Sequence, residues 1–83
     1  MLDKDMQNLR HMLGAGSHIK KRNWGYRNHF APAGDDVQSM LRLESAGLVI
    51  KGKPYHETYY YHATKAGCEA AGLEPYQIQK ALE

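Results

Sequence analysis

Apolar residues along the chain recur first at helical spacing, then at alternating spacing, then at helical spacing again. Met6, Leu9 and Leu13 fall on one side of a helix, with Leu2 one turn earlier, so Asp3 to Leu13 predicts a short amphipathic helix. Asp3 is a candidate cap at its start, and Gly14 and Gly16 stop it. Val37, Met40, Leu41 and Leu43 form the apolar arc of a second helix over about 36–46. Asp35, Gln38, Arg42 and Ser45 share the opposite face, with Ser39 beside them. Asp35 and Gln38 make a candidate capping box, and Gly47 stands where a left-handed terminal residue is expected. Glu44 falls inside the apolar arc, where a carboxylate needs a partner: Trp24 Nε1, a Lys or Arg, or a backbone N–H of the preceding loop.

Leu48 to Lys51 and Thr58 to Ala63 read as strands, joined through the turn formers Gly52 and Pro54 of "GKPYHE". Alternation puts Tyr59 and Tyr61 on one face and Thr58, Tyr60 and His62 on the other. One face packs on the helices, and the other is wet or meets a partner. Thr64 is placed to cap "KAGCEAAG", a short helix of small residues that can approach the sheet closely. Pro75 suits the first turn of a last helix to Leu82. Residues 17–34 resist assignment. Trp24, Tyr26 and Phe30 suit one face of an extended segment or a tight helical turn, and these rings are expected in a core this small.

At 83 residues the chain predicts one domain over 1–83, with a single core serving every element. The longest apolar run, Gly47 to Ile50, is far short of the roughly 20 residues that span a bilayer. The acidic start Met-Leu-Asp-Lys-Asp-Met does not resemble a signal peptide, and one cysteine, Cys68, excludes an internal disulfide. A cytoplasmic protein with no membrane contact is the expectation.

Net charge is only +2, but no Asp or Glu lies between Met6 and Gly34, where Arg10, Lys20, Lys21, Arg22 and Arg27 all fall. A clustered positive field acts locally even on a nearly neutral molecule, so a phosphate-binding patch and a solvated basic loop both fit. His11, His18, His29, His56 and His62 include no pair at the i, i+4 spacing of a helical metal site, and Cys68 has no cysteine partner. No metal or other cofactor is expected. With neither a nucleophile elbow nor a glycine-rich phosphate loop, the chain does not read as an enzyme.

The stretch "DDVQSMLRLESAGLVIKGKPYHETYYYHATKAG" resembles the second half of winged-helix domains of the MarR and PadR types. There a Leu-Glu-x-x-Gly-Leu-Val helix end leads into the wing, and Thr-x-x-Gly opens the next helix. The matching positions are Leu43, Glu44, Gly47, Leu48, Val49, Thr64 and Gly67, within roughly 35 of the 83 residues. The whole chain, with "LRHMLGA", "WGYRNHF" and "YYYHATKAGCEAAGL", also resembles small uncharacterised proteins of tailed phages and prophages. The resemblance implies a small α+β winged helix, with helices on a two- or three-stranded antiparallel sheet whose hairpin is the wing. It also implies that helix 36–46 is the recognition helix of a DNA-binding regulator of transcription. Gln38, Ser39 and Arg42 would then read bases, with Lys20, Lys21, Arg22, Arg27, Lys51 and Lys53 on phosphates. Two features depart from the pattern: "NHFAPAGDD" offers little room for a supporting helix, and Asp35 and Asp36 at the helix tip would repel phosphate.

A second class of function is a protein-interaction module that binds and redirects a host protein through Tyr55, Tyr59, Tyr60 and Tyr61 of the hairpin. A homodimer through Met6, Leu9, Leu13, Ile78 and Leu82 of the end helices is a further expectation.

Overall fold

A computed structural model describes residues 1–83. The chain forms α1 (Asp3–Met12), a 3-10 turn (Lys21–Asn23), α2 (Asp36–Ser45), β1 (Val49–Tyr55), β2 (Thr58–Ala63), α3 (Lys65–Ala70) and α4 (Pro75–Leu82). The class is α+β: four helices and a two-stranded antiparallel sheet. Thirteen buried apolar residues make one cluster. Leu9, Met12 and Leu13 at α1 meet Met40 and Leu43 of α2, Val49, Tyr61 and Ala63 of the hairpin, and Cys68 and Ile78 of the last two helices. No helix is long and apolar enough to cross a membrane.

Helix ends follow local chemistry, though not always at the expected residue. At the end of α2, Gly47 takes φ 77°. Its N–H bonds to Glu44 O at 2.9 Å and that of Leu48 to Leu43 O at 2.9 Å, which closes the last turn. The capping box expected at Asp35 and Gln38 is absent, for Asp35 makes no side-chain cap. One occurs instead at α4, where Glu74 and Gln77 satisfy each other's backbone N–H. Asp3 does not cap α1 either. Thr64 does cap α3, accepting from Gly67 N–H at 3.1 Å while its hydroxyl donates to Gly47 O at 2.8 Å. A Cβ at Gly67 would stand 2.0 Å from Leu48 O, so the close approach of α3 to the sheet requires a residue without one.

The hairpin is longer than expected, because β1 continues through Pro54 to Tyr55 and only His56 and Glu57 form the turn. β1 tolerates the proline because its only pairing is with β2, which leaves its other edge open. Lys51 pairs with Tyr61 and Pro54 with Tyr59, so Gly52 and Lys53 together oppose Tyr60 in a β-bulge. On the other edge of β2, Phe30 exchanges two backbone hydrogen bonds with Tyr61, at 3.0 and 2.8 Å.

Residues 17–34 are therefore neither a strand nor a helical turn over most of their length. They are held by individual bonds: Gly25 N–H to Leu13 O, His29 N–H to Met12 O, and Trp24 Nε1–H to Ile19 O. Asn28 stands in for a strand residue, accepting from Ala63 N–H at 2.7 Å and donating to Ala63 O at 3.1 Å. Trp24 and Phe30 pack against the core as expected, but Tyr26 is 56% exposed and lies across Gly14. Leu9, Leu13 and Ile78 are buried within the chain, so of the surface expected to pair two copies only Leu82 and part of Met6 remain outside.

Candidate interaction surfaces

α2 leans on α1 through polar contacts as well as apolar ones. Asp5 and Asn8 share the inner face of α1 with Leu9 and Met12. Ser39, fully buried, donates to Asp5 Oδ1 at 2.7 Å and accepts from Asn8 Nδ2 at 3.0 Å. Arg42 grips the same carboxylate with two bonds, Nε to Oδ2 at 2.9 Å and Nη2 to Oδ1 at 2.8 Å. Asp36 accepts from Asn8 and pairs with Lys4 at 3.0 Å. Arg42 beside Asp5 holds that carboxyl below its ordinary range, with Ser39 adding to the effect against the opposing influence of burial. Lys4 does the same for Asp36.

This network corrects the expected roles of α2. Ser39 faces α1, not solvent. Arg42 is half-exposed, but its Nε–Nη2 edge is spent on Asp5, which leaves only the Nη1 side of the guanidinium to solvent. Leu41, assigned to the apolar arc, is 40% exposed. Gln38 alone of the three expected base-reading residues is exposed without a partner of this kind. Glu44 is half-buried, and Trp24 Nε1 bonds elsewhere.

The basic residues are distributed over separate anchorages. Lys21 reaches Glu74 at 4.0 Å and lies over the Trp24 ring, while its carbonyl accepts from Gln77 Nε2. This fastens the 20–22 triplet to α4, whereas α2 is fastened to α1. Arg27 is half-buried, donating from Nε to His11 O at 3.1 Å and lying over Tyr26. His11 is pushed down from its ordinary pKa by burial first and by Arg27 second. Lys20, Arg22, Lys51 and Lys53 are exposed and have no acidic partner.

The tyrosines divide by strand face. Tyr61 is 2% exposed, and burial pushes its hydroxyl up; it is a core residue and not the contact residue expected of it. Tyr59 shares its side of the ribbon but projects past the core, with Lys51 Nζ 5.0 Å from its ring centre. The outer face carries Tyr60, half-buried, against Tyr55 with ring centres 4.7 Å apart. His29 packs edge-on to Tyr60 at 6.1 Å, and His62 Nδ1 lies 2.7 Å from Asn28 O. Together with Lys53 these residues line a shallow depression of about 430 Å³. Neither His29 nor His62 stands out in the sequence. Their convergence depends on the pairing of residues 28–30 with β2, made by the Phe30 bridge and by the Asn28 side chain on Ala63.

Compared with models of protein families, with curated proteins and with solved structures, the chain matches none of them.

Proposed function

We propose that the chain is a reduced winged helix that works as a protein-binding module, with the outer face of its hairpin as the contact surface. The order α1, Phe30 bridge, α2, hairpin supports the winged-helix reading, with one helix fewer than the resemblance implies. One observation carries the choice of partner class: Ser39 and Arg42 are committed to Asp5 of α1, while Tyr55 and Tyr60 stand outward beside Lys53. Paired tyrosine rings have the composition of an interface hot spot. The resemblance to phage proteins makes a bacterial host protein the natural partner. The test is capture from a bacterial extract, followed by titration of the purified partner. Saturable binding that Tyr60→Ala abolishes is expected; a partner whose affinity ignores Tyr60→Ala would refute the reading.

Duplex DNA is the second reading, favoured by the exposed and unpaired Lys20, Arg22, Lys51 and Lys53. It requires affinity that falls steeply with salt, each lost phosphate contact lowering the log–log slope by about one. Its base readout would rest on Gln38 alone, which predicts little sequence discrimination.

A further inference from the structure

Resting on the reading of the hairpin's outer face as a protein-binding surface, we infer that the depression between His29, Lys53, Tyr60 and His62 takes a phosphate group carried by a side chain of the partner. Lys53, Tyr60 and His29 can donate hydrogen bonds, as can His62 in its doubly protonated form, and no Asp or Glu lines the depression. Two features of the backbone build it. The bulge places Lys53 beside Gly52, opposite Tyr60, so its ammonium joins the outer face; in an unbroken ladder that position would point to the core side. Gly52 leaves room for the His62 ring, since a Cβ there would lie 2.3 Å from His62 Nε2.

The ring is also oriented. A carbonyl only accepts, so the 2.7 Å contact with Asn28 O puts the proton on Nδ1 and leaves Nε2 as the nitrogen that gains a second proton. The charged and titratable groups around His62 are Lys53 and Tyr60 from the hairpin, Tyr26, Arg27 and His29 from the preceding segment, and Lys80 and Glu83 from the end of α4. Lys53, Arg27 and Lys80 outnumber the one carboxylate, so a dianion is favoured. One depression lined by four hydrogen-bonding side chains, beside the paired rings of Tyr55 and Tyr60, suits one phosphate on a protein side chain better than the periodic phosphates of a duplex.

The test is titration of the full chain with inorganic phosphate, O-phosphoserine and acetate, followed by NMR of the histidine ring and Tyr60 resonances. Phosphate and phosphoserine are expected to shift His29, Tyr60 and His62 saturably and to bind more tightly than acetate. Lys53→Ala should weaken binding by about tenfold, the loss of one hydrogen bond to a charged group, and Lys53→Arg should restore most of it. Gly52→Ala, which displaces the His62 ring, should weaken it as well. Unsaturable shifts spread over many lysines, equal affinity for acetate, or binding indifferent to both Lys53→Ala and Gly52→Ala would overturn the inference. A short DNA duplex that shifts the same residues more strongly than phosphoserine would overturn the protein assignment of the phosphate. Partner capture sensitive to Tyr60→Ala with no phosphate binding removes the pocket alone; phosphate binding with no saturable protein partner removes the functional reading on which the partner's identity rests.

Discussion

Replacing Ser39 with Ala separates the two accounts of α2 more sharply than any DNA titration. If Ser39 faced a groove, removal of its hydroxyl would be a surface change worth less than about 0.5 kcal/mol. In the structure the hydroxyl is buried, donating to Asp5 at 2.7 Å and accepting from Asn8 at 3.0 Å. Its loss takes one donor from a carboxylate that is 5% exposed and one acceptor from the Asn8 amide. Asn8 keeps Asp36 and Asp5 keeps Arg42, so neither group is orphaned completely. A buried hydrogen bond to a charged group is worth about 1.5–3 kcal/mol, and we expect a loss of about 2 kcal/mol. A chain of this size has roughly 4–12 kcal/mol in total, so the change is a large fraction of it. Thermal unfolding would shift down by roughly 8–16 °C, and urea unfolding monitored by Trp24 fluorescence would show a lower midpoint with unchanged slope. Gln38→Ala, one residue away and exposed, is the control. Equal stability of Ser39→Ala, Gln38→Ala and the parent chain would refute the buried network and reopen α2 as a reading helix.

Gly67→Ala would drive a methyl into Leu48 O, and we expect a loss of about 1–3 kcal/mol in urea unfolding. Acid should destabilise the fold in two windows. Below about pH 6.5 the unfolded chain takes up a proton that burial denies to His11, and below about pH 4 it takes up those that Arg42 and Lys4 disfavour on Asp5 and Asp36. Stability is therefore greatest above both windows. His11→Gln should flatten the upper decline and Asp5→Asn the lower one, as read from urea midpoints across pH.

The elements were legible in the sequence where local chemistry decides them. Gly47 after Val37, Met40 and Leu43 marks α2, Thr64 marks the start of α3, and alternation separates Tyr59 and Tyr61 from Tyr60 and His62 on β2 without saying which pair faces the core. The orientation of α2 was not legible from its own wheel, which sent Ser39 outward and Leu41 inward. Buried Asp5 and Asn8 on α1 reverse that preference, because a hydroxyl satisfies them and a leucine does not. The signal was present elsewhere: Asp5, Asn8, Leu9 and Met12 form one helical stripe, and polar residues inside a buried stripe call for polar partners on the facing element. The turn was misjudged because Pro54 reads as a strand breaker, and only at an unpaired edge is its missing N–H harmless. The depression at Lys53 depends on an inserted residue and on a single backbone pairing, neither of which leaves a periodic trace.

That unpaired edge has a consequence for how the molecule behaves in a crowd. Three consecutive tyrosines on a ribbon invite neighbouring copies to zip on and grow a fibril. The outermost strand offers them Pro54 without a hydrogen to donate, Lys51 and Lys53 that repel their own kind, and a kink at Gly52 that spoils any straight template. The exposed rings therefore lie next to an edge that discourages a second copy from adding a strand.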